Sequence, residues 1–345
     1  MSLSYHFLVT DKHITILGAG SMGTALGKML GDRGRQIRLW AYETEVAEEI
    51  NTRRVNSAFL PDFKLPDTVV ATCSFAEALE DAELILSATP AQVLGTVWKK
   101  AAPFLPPGAV IVSTSKGVEV GSTRLMSEVL PDVVPAVDPS CFAFLSGPSF
   151  AKEFAVGVPT AVVVASTSTP LAERVQQEMS SSTFRVYTTD DVIGVELGGA
   201  LKNVIAIAVG VAEGMGLGFN SRAALITRGL AELSRLAVAC GANPLTLAGL
   251  AGVGDLVLTC TGHLSRNLQV GIRLGQGETL DQILGSMNMV AEGVQTARST
   301  VELAKKHGVE MPISEAVQKL LYGEVTPKEA VTGLMARKLR SEREF

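Results

Sequence analysis

A chain of 345 residues, 47% hydrophobic and 19% charged, has the material for a filled core and more length than one domain usually takes. Its formal net charge of -5 excludes the broadly basic face that sequence-independent nucleic-acid binding requires, yet leaves room for a local pocket that takes a small anion. Cys73, Cys141, Cys240 and Cys260 form no CxxC pair and the four histidines show no ligand spacing, so no metal is expected and the cysteine usage fits a reducing compartment.

In chain order, the opening MSLSYHFLVTDKH has no basic start and a broken apolar run, so it does not read as a secretory signal. HITILGAG reads as a strand entering a glycine turn, and SMGTALGKMLGDRG as the helix that follows. Gly18, Gly20 and Gly23 form GxGxxG at that junction. Gly18 permits the turn, Gly20 lets backbone approach a pyrophosphate, and Gly23 lets helix and strand pack closely. QIRLW is the second strand. Ala41 and Tyr42 follow it where strict NAD use calls for an acid, with Glu43 one step later, so either NADP or NAD is acceptable unless Glu43 swings back to the ribose.

Further strands are read at TVVATC, ELILSA, AVIVSTS, FAFLSG, TAVVVAS and FRVYTT, with helices at TEVAEEINTRR and PAQVLGTVWKKAAPFL. From about Asp190 long helical patterns follow one another without a strong strand. The expectation is a Rossmann-type parallel-sheet dinucleotide domain over residues 1–194 and an all-α domain over 195–345, an α/β fold followed by helices. The longest apolar run, Val204 to Ala212, is about half of what spans a bilayer, so a soluble chain without a membrane span is expected.

The helix around Leu201 to Ala212 is apolar on nearly every side, yet Lys202 and Asn203 sit in it. Val195, Gly198, Gly199, Ile205, Ala206 and Val209 surround Lys202 on helical spacing and offer no counter-charge. A buried unpaired ammonium costs several kcal/mol, about enough to demand an anion, a cavity or water. Snorkelling to the surface is the ordinary alternative. Gly198 and Gly199 flatten the same face, as a close ligand would require, and desolvation would bring the lysine toward a pKa suited to proton transfer. A second cluster, GVGDLVLTCTGHLSRN, holds Asp255, Thr259, Ser265, Arg266 and Asn267. Asp255 is either a helix N-cap or the partner of Lys202, and Arg266 presents a fork of donors matched to a phosphate.

Together these segments resemble the NAD(P)-dependent glycerol-3-phosphate dehydrogenases of the bacterial biosynthetic type. The landmarks run from about His13 to Gly333: GAGSMG, NSAFLPD, STSKG, SGPSFAKE, IGVELGGALKNVIAIAVG, ALITRGLAE, GVGDLVLTCTG, SRN and VAEG. The resemblance implies that Lys202 donates and accepts the catalytic proton, with Asn203, Asp255 and Thr259 as its polar partners. It implies substrate contacts at Lys116, Gly147, Ser149, Lys202, Asp255, Ser265, Arg266 and Asn267. It implies cofactor contacts at Ser21, Met22, Tyr42, Lys116, Ala151, Arg266, Val290 and Glu292 besides the glycine turn. Met22 stands where an aromatic residue is frequent, which should alter only packing on the cofactor, and Tyr42 where a basic residue or histidine is frequent, which weakens the expected grip on a 2′-phosphate. The implied reaction reduces dihydroxyacetone phosphate to sn-glycerol 3-phosphate for phospholipid synthesis, in a cytoplasmic homodimer without metal. A 3-hydroxy acid or ketopantoate dehydrogenase of similar plan, and a non-catalytic dinucleotide sensor, are the competing readings.

Overall fold

The computed structural model describes residues 13–287, 291–339 and 341–342. The first half alternates β1 (His13–Leu17), α1 (Ser21–Gly31), β2 (Ile37–Trp40), α2 (Thr44–Arg53), β3 (Val69–Thr72), α3 (Phe75–Leu79), β4 (Ala82–Ser87), α4 (Ala91–Ala101), β5 (Ile111–Ser113), α5 (Met126–Val133), β6 (Phe142–Ser146), α6 (Ala151–Phe154), β7 (Thr160–Ala165), α7 (Thr169–Met179) and β8 (Phe184–Thr189). All eight strands join one sheet in the order β3-β2-β1-β4-β5-β6-β7-β8. Alternation decides the two faces. Ile14, Ile16, Leu84 and Val112 meet α1, α2 and α7 through Leu26, Ile50 and Val175. Leu17, Ile85 and Ile111 meet α3, α4 and α5 through Leu79, Trp98 and Val129.

The Rossmann-like plan expected from the sequence is present, and every strand read there lies in this sheet. One detail differs: β7 pairs antiparallel with β6, and β8 runs parallel to β7. The connection explains it. A parallel return needs a crossover element about as long as the strand, and the four-residue α6 reaches only about 6 Å. The chain therefore turns back down at the edge it has just reached. Helices α3 and α5 lie in stretches that the sequence reading left unassigned.

The second half is helical: α8 (Val192–Gly214), α9 (Gly218–Ala239), α10 (Pro244–Leu247), a π-helical turn (Leu250–Gly254), α11 (Asp255–Thr261), α12 (Arg266–Gly275), α13 (Leu280–Gly285), α14 (Glu292–His307), α15 (Pro312–Leu321) and α16 (Pro327–Met335). Asp191 caps α8, accepting the Gly194 N–H at 2.9 Å. From there α8 runs through the interior with nearly every residue buried. At 23 residues it is long and apolar enough to cross a membrane, as is Pro244–Thr261, but the apolar window of α8 is 89% buried within the fold. Lys202 and Asn203 break its apolar run, so no bilayer-length stretch shows in the sequence alone.

Helix α12 lies directly along α8 because glycine faces glycine. Cβ atoms added at Gly210, Gly214, Gly271 or Gly275 would meet the opposing backbone well under 3.0 Å away. This contact fixes how the start of α12 stands relative to the middle of α8. Gly271→Ala should therefore lower the unfolding free energy by about 1–3 kcal/mol in urea titrations, through overpacking against backbone. Gly333→Ala, where nothing lies within 4 Å, should stabilise α16 by roughly 0.5–1 kcal/mol. Equal behaviour of the two variants would show that the glycine face does not set the spacing.

Candidate active site

The carboxyl ends of β1, β2, β4, β5 and β6 open toward one edge, and the chain order reverses between β1 and β4, where doubly wound sheets bind ligands. The glycine turn lies at that point. Gly18 has φ +115°, in the region favouring glycine, and a Cβ there would meet the Ala88 carbonyl. A Cβ at Gly23 would overlap the Gly18 carbonyl, so helix and turn touch through it. At Gly20 nothing lies within 4 Å. The turn is closed by protein on two sides and open at the glycine expected to face a pyrophosphate. The helix N-terminus behind it suits an anion.

The other expected cofactor residues divide. Ser21 opens α1, with its hydroxyl donating to the Phe59 carbonyl at 2.7 Å. Met22 and Ala151 pack partly against the sheet core. Tyr42 is 77% exposed at the end of β2, edge-on to Trp40. Ala41 beside it is fully buried, so of the two residues after β2 only Tyr42 faces outward. An acid at position 41 would be a core charge rather than a probe of the ribose. Val290 lies outside the described residues.

Across the edge stands α8. Lys202 is 6% exposed, and its ammonium donates to Asp255 Oδ1 and, at 2.9 Å, to Thr259 Oγ1. Thr259 in turn donates to the Asp255 carbonyl at 2.6 Å, fixing the hydroxyl so that its lone pair faces the lysine. Snorkelling is thereby excluded: the charge meets an anion, as the sequence required. Asp255 opens α11 after the π turn, and no side chain caps that helix, so its carboxylate is free for this pairing. Its other oxygen, Oδ2, accepts from Lys116 at 2.7 Å. Lys116 also donates to the Gly147 carbonyl at 3.1 Å, which the Ser149 hydroxyl reaches at 3.0 Å. The sequence placed Lys116 near the substrate but gave no sign of this second pairing, because 139 residues separate the partners.

Gly198 and Gly199 serve packing, not a ligand. Cβ atoms there would strike the Ala251 carbonyl of the π turn and the buried Ser146 hydroxyl. The flattened face read from the sequence is filled by protein, and it brings α8 close enough for Lys202 to reach Asp255. Asn203 accepts from the Asn267 amide at 2.9 Å, and Asn267 Oδ1 accepts the Gly293 N–H at 2.9 Å, tying α8, α12 and α14 together. Ser265 is the buried N-cap of α12, accepting the Leu268 N–H at 3.2 Å. Arg266 next to it is exposed. Glu292 at the start of α14 completes the group. Burial raises its carboxyl, while Arg266, the Ala91 backbone, Lys116 and Lys202 hold it down.

Lys202, Lys116 and Arg266 against Asp255 and Glu292 make three cations against two carboxylates, a local surplus of positive charge in an acidic protein. Burial pulls the Lys202 ammonium from 10.5 to about 8, against Asp255, which favours the charge, and with Lys116, which opposes it. Among the described residues no three His, Cys, Asp or Glu side chains gather as metal ligands.

The profile described as the N-terminus of NAD-dependent glycerol-3-phosphate dehydrogenase matches residues 13–172, and that described as its C-terminus matches 191–332. A protein of Citrifermentans bemidjiense named glycerol-3-phosphate dehydrogenase (NAD(P)+) is 52% identical over 329 residues, 95% of this chain and 98% of that one. The crystal structure of glycerol-3-phosphate dehydrogenase from Coxiella burnetii superposes with a TM-score of 0.90 at 40% identity, over 94% of this chain and 99% of that one. A ketopantoate reductase from Ralstonia eutropha shares the fold alone, with a TM-score of 0.58 at 16% identity over 92% of this chain and 99% of that one.

The bridging carboxylate sets an order of stabilities. Asp255→Ala leaves the buried Lys202 ammonium facing the partly buried Lys116 with no carboxylate between them and should cost about 3–5 kcal/mol of unfolding free energy at pH 7. Lys202→Met leaves Asp255 paired with Lys116 and should cost much less. Equal losses in urea titrations would mean that Asp255 does not bridge the two lysines.

Proposed function

The chain belongs to the NAD-dependent glycerol-3-phosphate dehydrogenase family, and on that premise we propose that it works mainly as a reductase of dihydroxyacetone phosphate, with Lys202 as proton donor. Its activity is that of an NAD(P)-dependent oxidoreductase on the sn-glycerol 3-phosphate pair. The observation that carries the assignment of roles is the buried Lys202–Asp255 pair, bridged to the partly buried Lys116, beside the open glycine turn.

When bound, the dinucleotide supplies the hydride that C2 of the substrate accepts. The residues that would hold it are Gly18, Gly20, Ser21, Met22 and Gly23 at the turn, Tyr42 beyond β2, and Lys116, Ala151, Arg266 and Glu292 across the edge, with Val290 as its sequence neighbour. Lys202 stabilises the oxygen that gains charge at C2 and then gives it a proton. Asp255 and Thr259 aim that ammonium, and Asn203 holds the neighbouring turn of α8 to α12. Arg266 and Asn267, with Lys116, Gly147, Ser149 and Ser265, receive the phosphate and so place the carbonyl. Either cofactor is accepted, because no lysine or arginine lies between Leu39 and Thr52 to favour the 2′-phosphate and the outward-facing Tyr42 supplies no carboxylate to repel it. The dinucleotide unit spans 1–194 and the helical unit 195–345, a division within the first turn of α8; Val118 and Leu125 pack with Leu197 and Leu201 across it. The helical unit pairs two copies. An apolar groove between α9, α15 and α16, with exposed Leu217, Val238, Met335 and Leu339, supports this. A cytoplasmic enzyme of phospholipid synthesis, with no metal, membrane span or nucleic-acid partner, is the fitting setting.

Lys202→Ala should lower kcat by at least about 10²-fold while the dinucleotide still binds at the turn, as read by fluorescence titration. In the wild type, reduction needs the ammonium and should fall above pH about 8. Oxidation needs the free amine and should rise through the same pH. Activity of the variant within about tenfold of wild type would sink the role of Lys202.

Arg266 is tested on two substrates. Arg266→Lys should keep part of the activity and raise the KM for dihydroxyacetone phosphate, whereas Arg266→Ala should lose more, since charge and fork both go. Unphosphorylated dihydroxyacetone should be a poor substrate and respond far less to either change. If Arg266→Ala impairs both substrates by one factor, the residue does not read the phosphate.

A further inference from the structure

Lys116 reaches Asp255 from a segment that has neither helix nor strand, residues 114–125 between β5 and α5. A lysine on an irregular connection has no ladder or helical turn to hold its backbone, so something else must fix it. Gln92, in the first turn of α4, grips the segment with both ends of its amide. Its Nε2 donates to the Val118 carbonyl at 2.9 Å, and its Oε1 accepts the Val120 N–H at 2.9 Å. Ser299 of α14 donates to the same Val118 carbonyl at 2.9 Å. The backbone at Gly117 lies so close to Ala91 that an added Cβ would meet the alanine methyl. Val118 is fully buried beside Leu197 and Leu201 of α8. The segment is thus pinned two residues past Lys116, from one helix of each half.

We propose that Gln92 is a positioning residue for the reaction: its two-pronged grip on residues 118 and 120 holds Lys116 against Asp255. The inference rests on the reading of the Lys202–Asp255–Lys116 group as the reactive site. Bidentate amide clamps of this kind replace the backbone pairing that an irregular segment lacks. Gln92 touches neither Lys202 nor Asp255 in the hydrogen-bond network, so its effect must pass through Lys116.

A structural role would change stability alone, whereas a positioning role leaves a signature on Lys202. Three charged groups face Lys202: Asp255 from α11, Lys116 from the segment, and Glu292 from α14. Of these only Lys116 disfavours the ammonium. Letting Lys116 retreat should therefore move the pH at which Lys202 titrates upward.

The test uses Gln92→Leu, which removes both prongs at similar volume, and Ser299→Ala, which removes the second donor from the other side. The pH dependence of kcat/KM for sn-glycerol 3-phosphate oxidation is measured for each, with urea midpoints as the control for folding. Gln92→Leu is expected to lower kcat/KM by roughly ten- to hundredfold. It should raise the substrate KM and shift the limb on which oxidation rises with pH, where Lys202 loses its proton, to higher pH. Ser299→Ala should do the same more weakly. An unchanged limb and KM in Gln92→Leu, with or without a lower urea midpoint, would overturn the proposal. The Lys202→Ala enzyme separates the two readings: if it is inactive while Gln92→Leu titrates like wild type, the clamp fails and the site assignment stands. If Lys202→Ala is active, the site assignment itself has failed.

Discussion

A single buried carboxylate, Asp255, holds two ammonium groups that arrive from opposite halves of the chain. Lys202 comes from the central helix of the helical half and Lys116 from the connection after β5, an interior strand of the sheet. Without Asp255 the buried Lys202 would be an uncompensated charge in the interior, with the partly buried Lys116 facing it. Together they share one counter-ion through its two oxygens, so the halves must close to one geometry for either charge to be tolerated. Much of the surrounding backbone serves that closure. The π turn before α11 and the glycines of α8 remove side-chain bulk where α8 passes, and the glycine face against α12 lets Asn267 reach Asn203. Irregular helical turns at functional sites are a known use of local strain, and here the turn delivers the carboxylate.

The electrostatic consequence is a site with opposite properties to the protein that surrounds it. The chain is acidic overall, yet the group around Lys202 carries more cationic than anionic side chains. That arrangement suits a small phosphate ester, which needs local charge and fixed donors rather than a broad basic face. It also explains why a lysine serves as the acid. Burial lowers its pKa, the bridging carboxylate limits the fall, and the value near 8 leaves the proton both present and transferable at neutral pH. Neither desolvation nor pairing alone would give that balance.

The sheet half contributes an edge as well as the charge of Lys116. Its parallel strands all end on the side where the glycine turn, Lys116 and Gly147 lie, so ligand-facing backbone gathers there without any long-range design beyond strand direction. The antiparallel turn-back at β7 ends this regularity. It also places Gly147, Pro148 and Ser149 at the start of the return, beside Lys116.

What the sequence determined by itself is what depends on near neighbours. Alternating and 3.6-residue patterns gave every strand of the sheet and the change to helices, and the glycine turn was legible because its three roles act within six residues. Lys202 was also legible as an anomaly, since the residues on its own helical face are fixed by spacing and none carries a charge. What met that lysine was not fixed by spacing. Asp255 lies 53 residues on, and its second partner 139 residues away, so only the packed tertiary structure decided that one carboxylate bridges two lysines. The same limit explains the misreadings. Gly198 and Gly199 leave a bare face in the sequence whether a ligand or a carbonyl fills it, and here the Ala251 carbonyl and Ser146 do. Ala41 and Tyr42 are equally plausible rim residues until the sheet sends one inward and the other out. A pattern specifies which side of its own element a residue occupies; which other element covers that side is set by the closure of the whole chain.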